Sequence, residues 1–252
     1  MTKQISVIIP AYNEERFITD ALDALECQTF PRNEFEVIVV DNASTDSTAL
    51  LARQHGADKI ICESKKGTNQ ARQTGLNASR GRIVAFLDAD CVPPPGWLDR
   101  IYEKLTEKKT TKSIATALGV KKQKRVAIAG AYVFYSEMTN SLYIMQEIYR
   151  WIVMPTLGSV MGKLFQRGGV VIGGNFATLK KNFKKIGGID TTFEFFGDDA
   201  SIARRFGELG YVEYDPRLYV MTSDRRFKRE GLMKTNWEYA KNYFKVMLET
   251  KS

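Results

Sequence analysis

Short apolar runs alternate with segments of helical periodicity through the first hundred residues of the chain. Four such runs predict buried strands, at residues 5–9, 35–40, 59–62 and 82–88. Between them, apolar residues recur at three- and four-residue spacing, which predicts a helix in each connection. Strands that alternate with helices in this way predict an α/β fold with a mostly parallel sheet, covered on both faces. Ligands of such a sheet bind beyond the carboxyl ends of its strands.

The pattern changes after about residue 105. Residues 106–125 are polar, basic and without a clear period, which indicates a loop or a weak helix. Later strands are expected at 126–135 and 217–223, with a glycine-punctuated strand or turn at 168–181. Later helices are expected at 138–165 with a break at Pro155, at 198–210, and in the tail at 226–252. We predict a single domain, because neither a repeat nor a low-complexity linker divides the sequence.

Composition narrows the choice of partners and of chemistry. The chain has 252 residues, of which 44% are hydrophobic and 26% charged, as is usual for a globular protein. Its net charge of +8 favours anionic partners, such as nucleotide phosphates, anionic lipids or nucleic acid. The three cysteines have neither zinc-site nor disulfide spacing, which favours a reducing compartment. The single histidine, His55, argues against Ser-His and Cys-His catalysis.

Polar residues follow each of the first four predicted strands. They are the segment 10–14, the pair Asp41 and Asn42, the segment 65–72, and the triplet 88–90. In a parallel sheet these four ends meet at one crevice. Each alone has an alternative interpretation as a turn, since turns favour Asp, Asn, Gly and Pro. Four polar ends at one edge favour a site.

Asp88 and Asp90 are the candidate metal ligands. If the strand continued through them, alternation would place both carboxylates on one side, where they could face one cation. Mg²⁺ and Mn²⁺ prefer such oxygen ligands. The alternative is that Asp90 forms a turn before Pro93, and the residues alone leave the two interpretations equally supported.

Three further groups have a functional and a structural interpretation each. Asp41 suits hydrogen bonding to a base or ribose, or helix capping. Gly67 and Arg72 suit phosphate binding, or a helix start with a solvated arginine. Asp198 and Asp199 suit a helix N-terminus, where they complement the dipole, or a general base. Phenylalanines just before them, at 193, 195 and 196, would raise the pKa of such a base by desolvation.

A basic cluster lies near the C-terminus and is made of Arg225, Arg226, Lys228 and Arg229. It suits a phosphate clamp, a contact with an anionic membrane, or a solvated loop. Residues 138–165 and the tail also combine aromatic residues and Met with Lys and Arg. That composition suits a peripheral membrane contact, and ordinary core or dimer packing is an equally good alternative.

Taken together, six segments resemble the inverting family 2 glycosyltransferases, which have the GT-A fold. The segments are residues 6–28, 35–48, 66–76, 85–98, 173–181 and 197–206. They follow one another in the family's order over about residues 5–210. The resemblance implies a nucleotide-diphospho-sugar donor, favours a uridine nucleotide, and implies a divalent cation, Mn²⁺ or Mg²⁺. The acceptor would be a carbohydrate or lipid-linked hydroxyl, in glycan, polysaccharide or glycolipid synthesis.

The resemblance also implies roles for individual residues. Asp199 would be the catalytic base and Asp198 the acidic residue before it. Asp88, Ala89 and Asp90 match the family's DXD motif, with Asp88 nearer the ribose and sugar and Asp90 on the metal. The remaining implied donor contacts are Pro10, Ala11, Tyr12 and Glu14 for the nucleoside, Asp41 for the base, Lys65, Gly67 and Arg72 for the diphosphate, and Gly174 and Asn175 near the sugar and acceptor. By position, about 1–105 would bind the nucleotide sugar, about 106–225 would serve the acceptor, and 226–252 would form a helical tail.

Two departures from the family pattern qualify these roles. Processive members carry a QxxRW motif after the base, whereas here QEIYRW at 146–151 precedes Asp199 and has one residue too many. We interpret it as part of an amphipathic helix, so non-processive transfer is expected. Many GT-A enzymes complete the metal shell with a late histidine. This chain has none there, which leaves Asp224 or water as the further ligand.

Two other functions compete with glycosyl transfer. A nucleotidyltransferase that makes sugar nucleotides would need a glycine-rich basic loop after the first strand, and residues 10–17 lack one. A non-catalytic sugar-nucleotide-binding module would not need all of Asp88, Asp90 and Asp199. Nucleic-acid binding is disfavoured, because the Lys/Arg runs are not interleaved with stacking aromatics. The apolar runs are too short for a signal peptide or a membrane span, which predicts a cytoplasmic protein.

Overall fold

The structure is a computed structural model that describes residues 3–107, 124–134, 140–156, 171–192 and 198–225. In its first half, strands and helices alternate. The strands are β1 (Ile5–Ala11), β2 (Phe35–Asp41), β3 (Lys59–Cys62) and β4 (Ile83–Leu87). The connections contain α1 (Ile18–Glu26), a 3₁₀ turn (Arg32–Glu34), α2 (Thr48–Gln54) and α3 (Thr68–Ala78).

The second half is less regular. Its strands are β5 (Cys91–Val92), β6 (Arg125–Phe134), β7 (Asn175–Leu179) and β8 (Tyr211–Thr222). Its helices are α4 (Trp97–Thr106), α5 (Asn140–Ile148) with a following π-helical turn (Tyr149–Val153), α6 (Lys180–Ile186) and α7 (Asp198–Gly207).

The eight described strands form one sheet in the order β3-β2-β1-β4-β7-β6-β8-β5. Four strand pairs are parallel, namely β1–β2, β1–β4, β2–β3 and β6–β8. Three are antiparallel, because β7 runs against both β4 and β6, and β5 runs against β8. The expected mostly parallel sheet is therefore confirmed, and β7 is the inverted strand that joins its two parallel parts.

Two apolar clusters cover the two faces of the sheet. One contains Val7 and Ile9 of β1 and packs on α1 and α4. The other contains Ile8 of β1 and Phe86 of β4 and packs on α3, α6 and α7. Because each central strand is buried on both sides, its sequence is continuously apolar and does not alternate. The expectation of a sheet covered on both faces is confirmed.

Three local expectations differ from the structure. The strand at 82–88 ends at Leu87, and a turn follows in which the Cys91 N–H donates to the Asp88 carbonyl at 3.0 Å. Residues 180–186 form a helix that buries Asn182 and Phe183, so the strand or turn expected at 168–181 ends at Leu179. The backbone stays helical through Pro155 to Thr156, and the irregularity lies one turn earlier. There the Met154 N–H reaches back to the Tyr149 carbonyl, the five-residue spacing of a π-helix. The predictions for 106–125, 138–165, 168–181 and the tail also extend over residues outside the described ranges.

Candidate active site

The order of the strands places an opening next to β1. The chain leaves β1 for β2 on one side and returns at β4 on the other. At such a reversal the loops after neighbouring strands turn apart, which leaves a crevice beyond their carboxyl ends. Residues 12–14 and 88–90 come from the two strands that border this crevice.

Asn42, just after β2, holds three of the strand ends together. Its backbone N–H donates to the Ala11 carbonyl at 2.8 Å. Its side-chain amide donates to the carbonyls of Glu63 and Lys65 at 3.0 and 2.8 Å, and its side-chain oxygen accepts from the Gly67 N–H at 2.8 Å. Gly67 has a φ of +135°, a backbone conformation that a residue with a Cβ rarely adopts. Asn42 thus fixes the loop before α3, a role that the sequence suggested only through its place beside Asp41.

The loop after β1 is bound to the loop after β2. Asn13 has a φ of +55°; its N–H donates to Ser44 at 3.0 Å, and its side chain accepts from the Thr45 N–H at 2.8 Å. The Glu14 N–H donates to the hydroxyl of Thr48 at 2.8 Å. These bonds set the positions of Tyr12 and Glu14 at the crevice.

Tyr12 and Lys66 pair at the exposed rim. The Lys66 Nζ lies 3.3 Å from the Tyr12 hydroxyl and 4.9 Å from the centre of its ring. The family resemblance implies a diphosphate contact for Lys65, which is exposed. Its neighbour Lys66 is the residue that contacts Tyr12. Asp41 is buried, and one of its carboxylate oxygens accepts from the Ser44 N–H at 3.3 Å. One oxygen of the Asp41 carboxylate is therefore used in a contact within the turn after β2.

Asp88 lies at the centre of a partly buried polar cluster, with 33% of its own side chain exposed. One carboxylate oxygen accepts from Arg72 at 3.2 Å and the other from the Tyr132 hydroxyl at 2.7 Å. The Tyr132 oxygen in turn accepts from the Gly174 N–H at 3.0 Å. Burial, and next the charge of Asp88, raise the pKa of Tyr132 well above its usual value, so it stays a hydrogen-bond donor. Tyr132 was not predicted, because it lies inside an apolar strand sequence.

Gly173 and Gly174 allow the acidic groups to approach each other. A Cβ at Gly173 would lie 2.4 Å from an Asp199 oxygen and 2.7 Å from the guanidinium of Arg72. A Cβ at Gly174 would lie 2.0 Å from the Asp88 carboxylate. Both glycines therefore pack directly on charged side chains, where any larger residue would collide with them. Asp88 bonds to Arg72, and Asp199 approaches the same side of Gly173 as Arg72, although the two acids are 111 positions apart in the chain.

Asp90 lies near a second group of charged residues, Glu14 and Arg225. The Arg225 guanidinium makes two hydrogen bonds to the Glu14 carboxylate, one of them 2.7 Å long, and lies 3.3 Å from an oxygen of Asp90. Burial, with the nearby charges of Asp88 and Glu14, raises the pKa of Asp90 to about 6, although Arg225 acts in the other direction. Because β4 ends at Leu87, the strand alternation that would have placed Asp88 and Asp90 on one side does not apply, and the two carboxylates contact different partners.

Other predicted residues lie in the structural frame. Asn175 has no exposed surface; its side-chain oxygen accepts from the Trp97 indole at 3.0 Å. Its amide donates to the carbonyls of Ala131 and Leu218 at 3.0 and 2.8 Å. The Asn175 side chain thus joins β6, β8 and α4, and its expected place near the sugar and acceptor stays a prediction. Ala89 is also buried, as is Ala11, and Pro10 lies in β1 opposite Val40. The Asp198 side chain and Arg226 lie outside the described residues.

The acidic groups of the crevice could supply part of the ligand set of a divalent cation. Asp90 is a buried carboxylate crowded by Asp88 and Glu14, and a cation beside it would relieve that repulsion. Among the described residues, no group of three His, Cys, Asp or Glu side chains is arranged to hold a metal. A cation that uses one or two carboxylates and takes its other ligands from a diphosphate fits this arrangement.

Solved structures define the fold. A mannosyltransferase from Pyrobaculum calidifontis, in complex with GDP-Man and Mn²⁺, matches with a TM-score of 0.71 and 20% identity, over 100% of this chain and 66% of its own. Glucosyl-3-phosphoglycerate synthase from Mycobacterium tuberculosis, in complex with Mn²⁺, UDP and phosphoglyceric acid, matches with a TM-score of 0.60 and 19% identity, over 99% and 80%. The protein has the GT-A fold of these glycosyltransferases, as expected.

Sequence comparison then gives the family. The profile of Glycosyl transferase family 2 matches residues 6–187, most of the chain, and the protein belongs to this family. Glycosyltransferase AglE from Haloferax volcanii is 45% identical over 101 residues, which are 38% of this chain and 33% of AglE. The poly(ribitol-phosphate) beta-N-acetylglucosaminyltransferase TarS from Staphylococcus aureus is 38% identical over 92 residues, 34% of this chain and 16% of TarS. The matched segment is thus about a third of one relative and about a sixth of the other.

Proposed function

We propose that this protein transfers a sugar from a nucleotide-diphospho-sugar to an acceptor hydroxyl, non-processively and with inversion at the anomeric carbon. One observation carries the proposal: Asp199 and Asp88 come together at Arg72, beneath Gly173 and Gly174. Inverting transfer needs a base and an anchor for the donor within reach of one sugar carbon. The contacts of Gly173 and Gly174 support such a site at the edge of the crevice.

The donor is a sugar joined to a nucleoside diphosphate. Tyr12 and Asp41 would receive the nucleoside, and the Gly67 backbone and Arg72 are the candidates nearest its phosphates. The relatives in complex with UDP and with GDP-Man support this class of donor. Uridine is the preferred base, on the family resemblance of residues 6–98. The acceptor is a carbohydrate or a lipid-linked hydroxyl.

The chemical step is a single displacement. The acceptor oxygen forms a bond to C1 of the sugar as the bond from C1 to the diphosphate oxygen breaks, and its electron pair leaves with the diphosphate. Asp199 takes the proton of the acceptor hydroxyl. Arg225 and the neighbouring basic residues stabilise the charge on the departing group. A divalent cation held by Asp90 and Asp88 would add Lewis-acid stabilisation of that charge.

Family membership favours this function over a nucleotidyltransferase. A non-catalytic donor-binding module is the remaining alternative, and binding and turnover separate the two. The first test is thermal denaturation of the whole chain with UDP-, GDP- and dTDP-sugars and Mn²⁺. A matching donor at 100 times its Kd should stabilise the fold by about 2.7 kcal/mol. If none of these donors raises the Tm, the proposal fails.

The joint surface of α5 and the π-helical turn after it supports a peripheral membrane contact as part of the proposal. Eight apolar side chains there, between Tyr143 and Val153, are 42–60% exposed and include Trp151. Arg150 packs against the rings of Trp151 and Tyr219. This contact is compatible with the interpretation of QEIYRW as part of an amphipathic helix. Exposed aliphatic and aromatic residues on a chain of net charge +8 suit the headgroup region of an anionic bilayer. Within the described ranges, no helix has the length and apolarity to cross a bilayer.

Replacing Ile144 and Ile152 together by serine is expected to weaken vesicle binding at least about tenfold, because both side chains would leave the bilayer. The measurement is cosedimentation with vesicles that contain phosphatidylglycerol. Leu50→Ser, an equally exposed position on α2, is the matched control and should bind as the parent does. If the parent does not bind vesicles at low salt, the proposed membrane contact is wrong. If light scattering shows a dimer that the double variant abolishes, the surface binds a second copy of the chain instead.

A further inference from the structure

Arg225 bridges two of the strand ends at the mouth of the crevice. Its guanidinium binds the Glu14 carboxylate with both terminal nitrogens and reaches Asp90 at 3.3 Å. It also lies 4.7 Å from the centre of the Phe17 ring. Glu14 belongs to the loop after β1 and Asp90 to the turn after β4, so one side chain from beyond β8 spans the opening between them.

The three charged side chains of this contact differ in their exposure to solvent. The side chains of Glu14 and Asp90 are 15% and 17% exposed, whereas that of Arg225 is 43% exposed. The two carboxylates are fixed parts of the crevice wall, and the guanidinium approaches them from solvent. An exposed arginine loses little free energy when it exchanges one anionic partner for another, because solvent screens the pair.

The two ends of the contact are unequal. The pairing with Glu14 is bidentate, the stronger geometry for a guanidinium and a carboxylate. The approach to Asp90 is a single longer contact. A competing cation would therefore displace Arg225 from Asp90 before it displaced Arg225 from Glu14.

Asp90 is also the residue that the proposed function gives to the cation. A guanidinium and a divalent cation seek the same carboxylate oxygens, and Asp90 is too buried to serve both at full strength. A guanidinium also pairs well with phosphate oxygens, so a released Arg225 would have a new anionic partner once a diphosphate entered.

We propose that Arg225 is an exchangeable counter-cation of the crevice: it neutralises Asp90 in the empty protein, yields Asp90 to the incoming divalent cation, and then pairs with the diphosphate of the donor. The inference rests on the proposed function for the identity of the donor. The exchange between Arg225 and the cation at Asp90 can be measured without turnover. Arg225 thereby weakens binding of the cation alone and strengthens binding of the nucleotide.

The test measures Mn²⁺ binding to the whole chain, without nucleotide, by electron paramagnetic resonance of the free ion. Arg225→Met should bind Mn²⁺ about tenfold more tightly than the parent, the ratio expected when one charge-assisted contact no longer competes. The same variant should bind UDP, titrated with saturating Mn²⁺, about tenfold more weakly. Arg225→Lys, which keeps the charge without the fork, should lie between the parent and Arg225→Met in both measurements.

Opposite changes in the two affinities distinguish exchange from damage to the fold, which would weaken both. Arg217→Met removes the same charge from an exposed position on β8 and should leave both affinities unchanged. Circular dichroism confirms that each variant is folded, and Arg225→Gln replaces Arg225→Met if the latter is not. Unchanged or weaker Mn²⁺ binding by the folded variant overturns the proposal. A parent that binds Mn²⁺ in this competitive way but binds no nucleotide would instead count against the proposed function.

Discussion

Asp199→Asn is expected to lower the turnover number about 10²- to 10⁴-fold, the usual contribution of a general base. The amide has the same shape as the carboxylate but cannot accept the acceptor's proton at neutral pH. Asp199 lies next to Arg72 and Gly173, so the substitution changes the charge of the site without opening space. Affinity for the donor should change much less, because Asp199 is assigned to the acceptor side.

Initial rates of nucleoside diphosphate release measure turnover, and thermal stabilisation by the same donor measures donor affinity. The two measurements together separate these effects. Asp23→Asn is the matched control, since Asp23 is exposed on α1 and pairs with His55 at 2.9 Å, away from the crevice. Its rate should equal that of the parent. Near-normal turnover by Asp199→Asn would remove Asp199 as the base.

Arg72→Met is expected to have the second large effect, on stability as well as on transfer. Arg72 is 4% exposed and lies against both Asp88 and Asp199. Its removal leaves Asp88 and Asp199 without this guanidinium. Because the Asp88 side chain is 33% exposed, we expect the lower end of the usual cost of breaking a buried pair, about 3 kcal/mol. For a chain of this length, that corresponds to a fall of about 6–12 °C in Tm.

Calorimetry at neutral pH measures this change. Arg53→Met, at an exposed position on α2, should change the Tm by less than about 2 °C. A Tm equal to that of the parent at neutral pH would show that Arg72 does not hold the two acids together.

The sequence predicts most of the sheet because the central strands are buried on both faces. The run Ile5–Ala11 is almost entirely apolar and contains no competing helical period. Helix α6 could not be predicted in this way, because its sequence KKNFKKI has too few apolar residues to show a helical period. There the helix depends on packing of Phe183 against Phe86 and Phe206, residues far away in the sequence.

The site was partly visible from the sequence for a related reason. The acids at 88, 90 and 199 stand at the ends of predicted elements, where local pattern identifies them. Tyr132 could not be selected in this way, and Asn42 only as one polar residue at a strand end, because their roles depend on which strands become neighbours. The antiparallel insertion of β7 between β4 and β6 brings Gly174 and Tyr132 to Asp88. Local sequence does not determine that pairing.

Asn175 is the opposite case, a residue that local sequence selected for the site and whose side chain bonds to the structural frame. Its place beside Gly174 matched a sugar-binding segment, yet its side chain bonds to Trp97 and to the carbonyls of two other strands. A polar residue next to a site can equally be the support that holds the backbone of that site in position.

The most direct test of the central claim is the fate of the donor at this crevice. The parent chain, Asp199→Asn and Asp90→Asn would each be incubated with Mn²⁺, the donor selected by thermal shift, and candidate sugar acceptors. Proton NMR would follow the anomeric configuration of the product. We predict that the parent forms a glycoside of inverted configuration and releases nucleoside diphosphate, and that both variants form it at least about a hundredfold more slowly. A product of retained configuration, or equal rates in the parent and Asp199→Asn, would contradict this account.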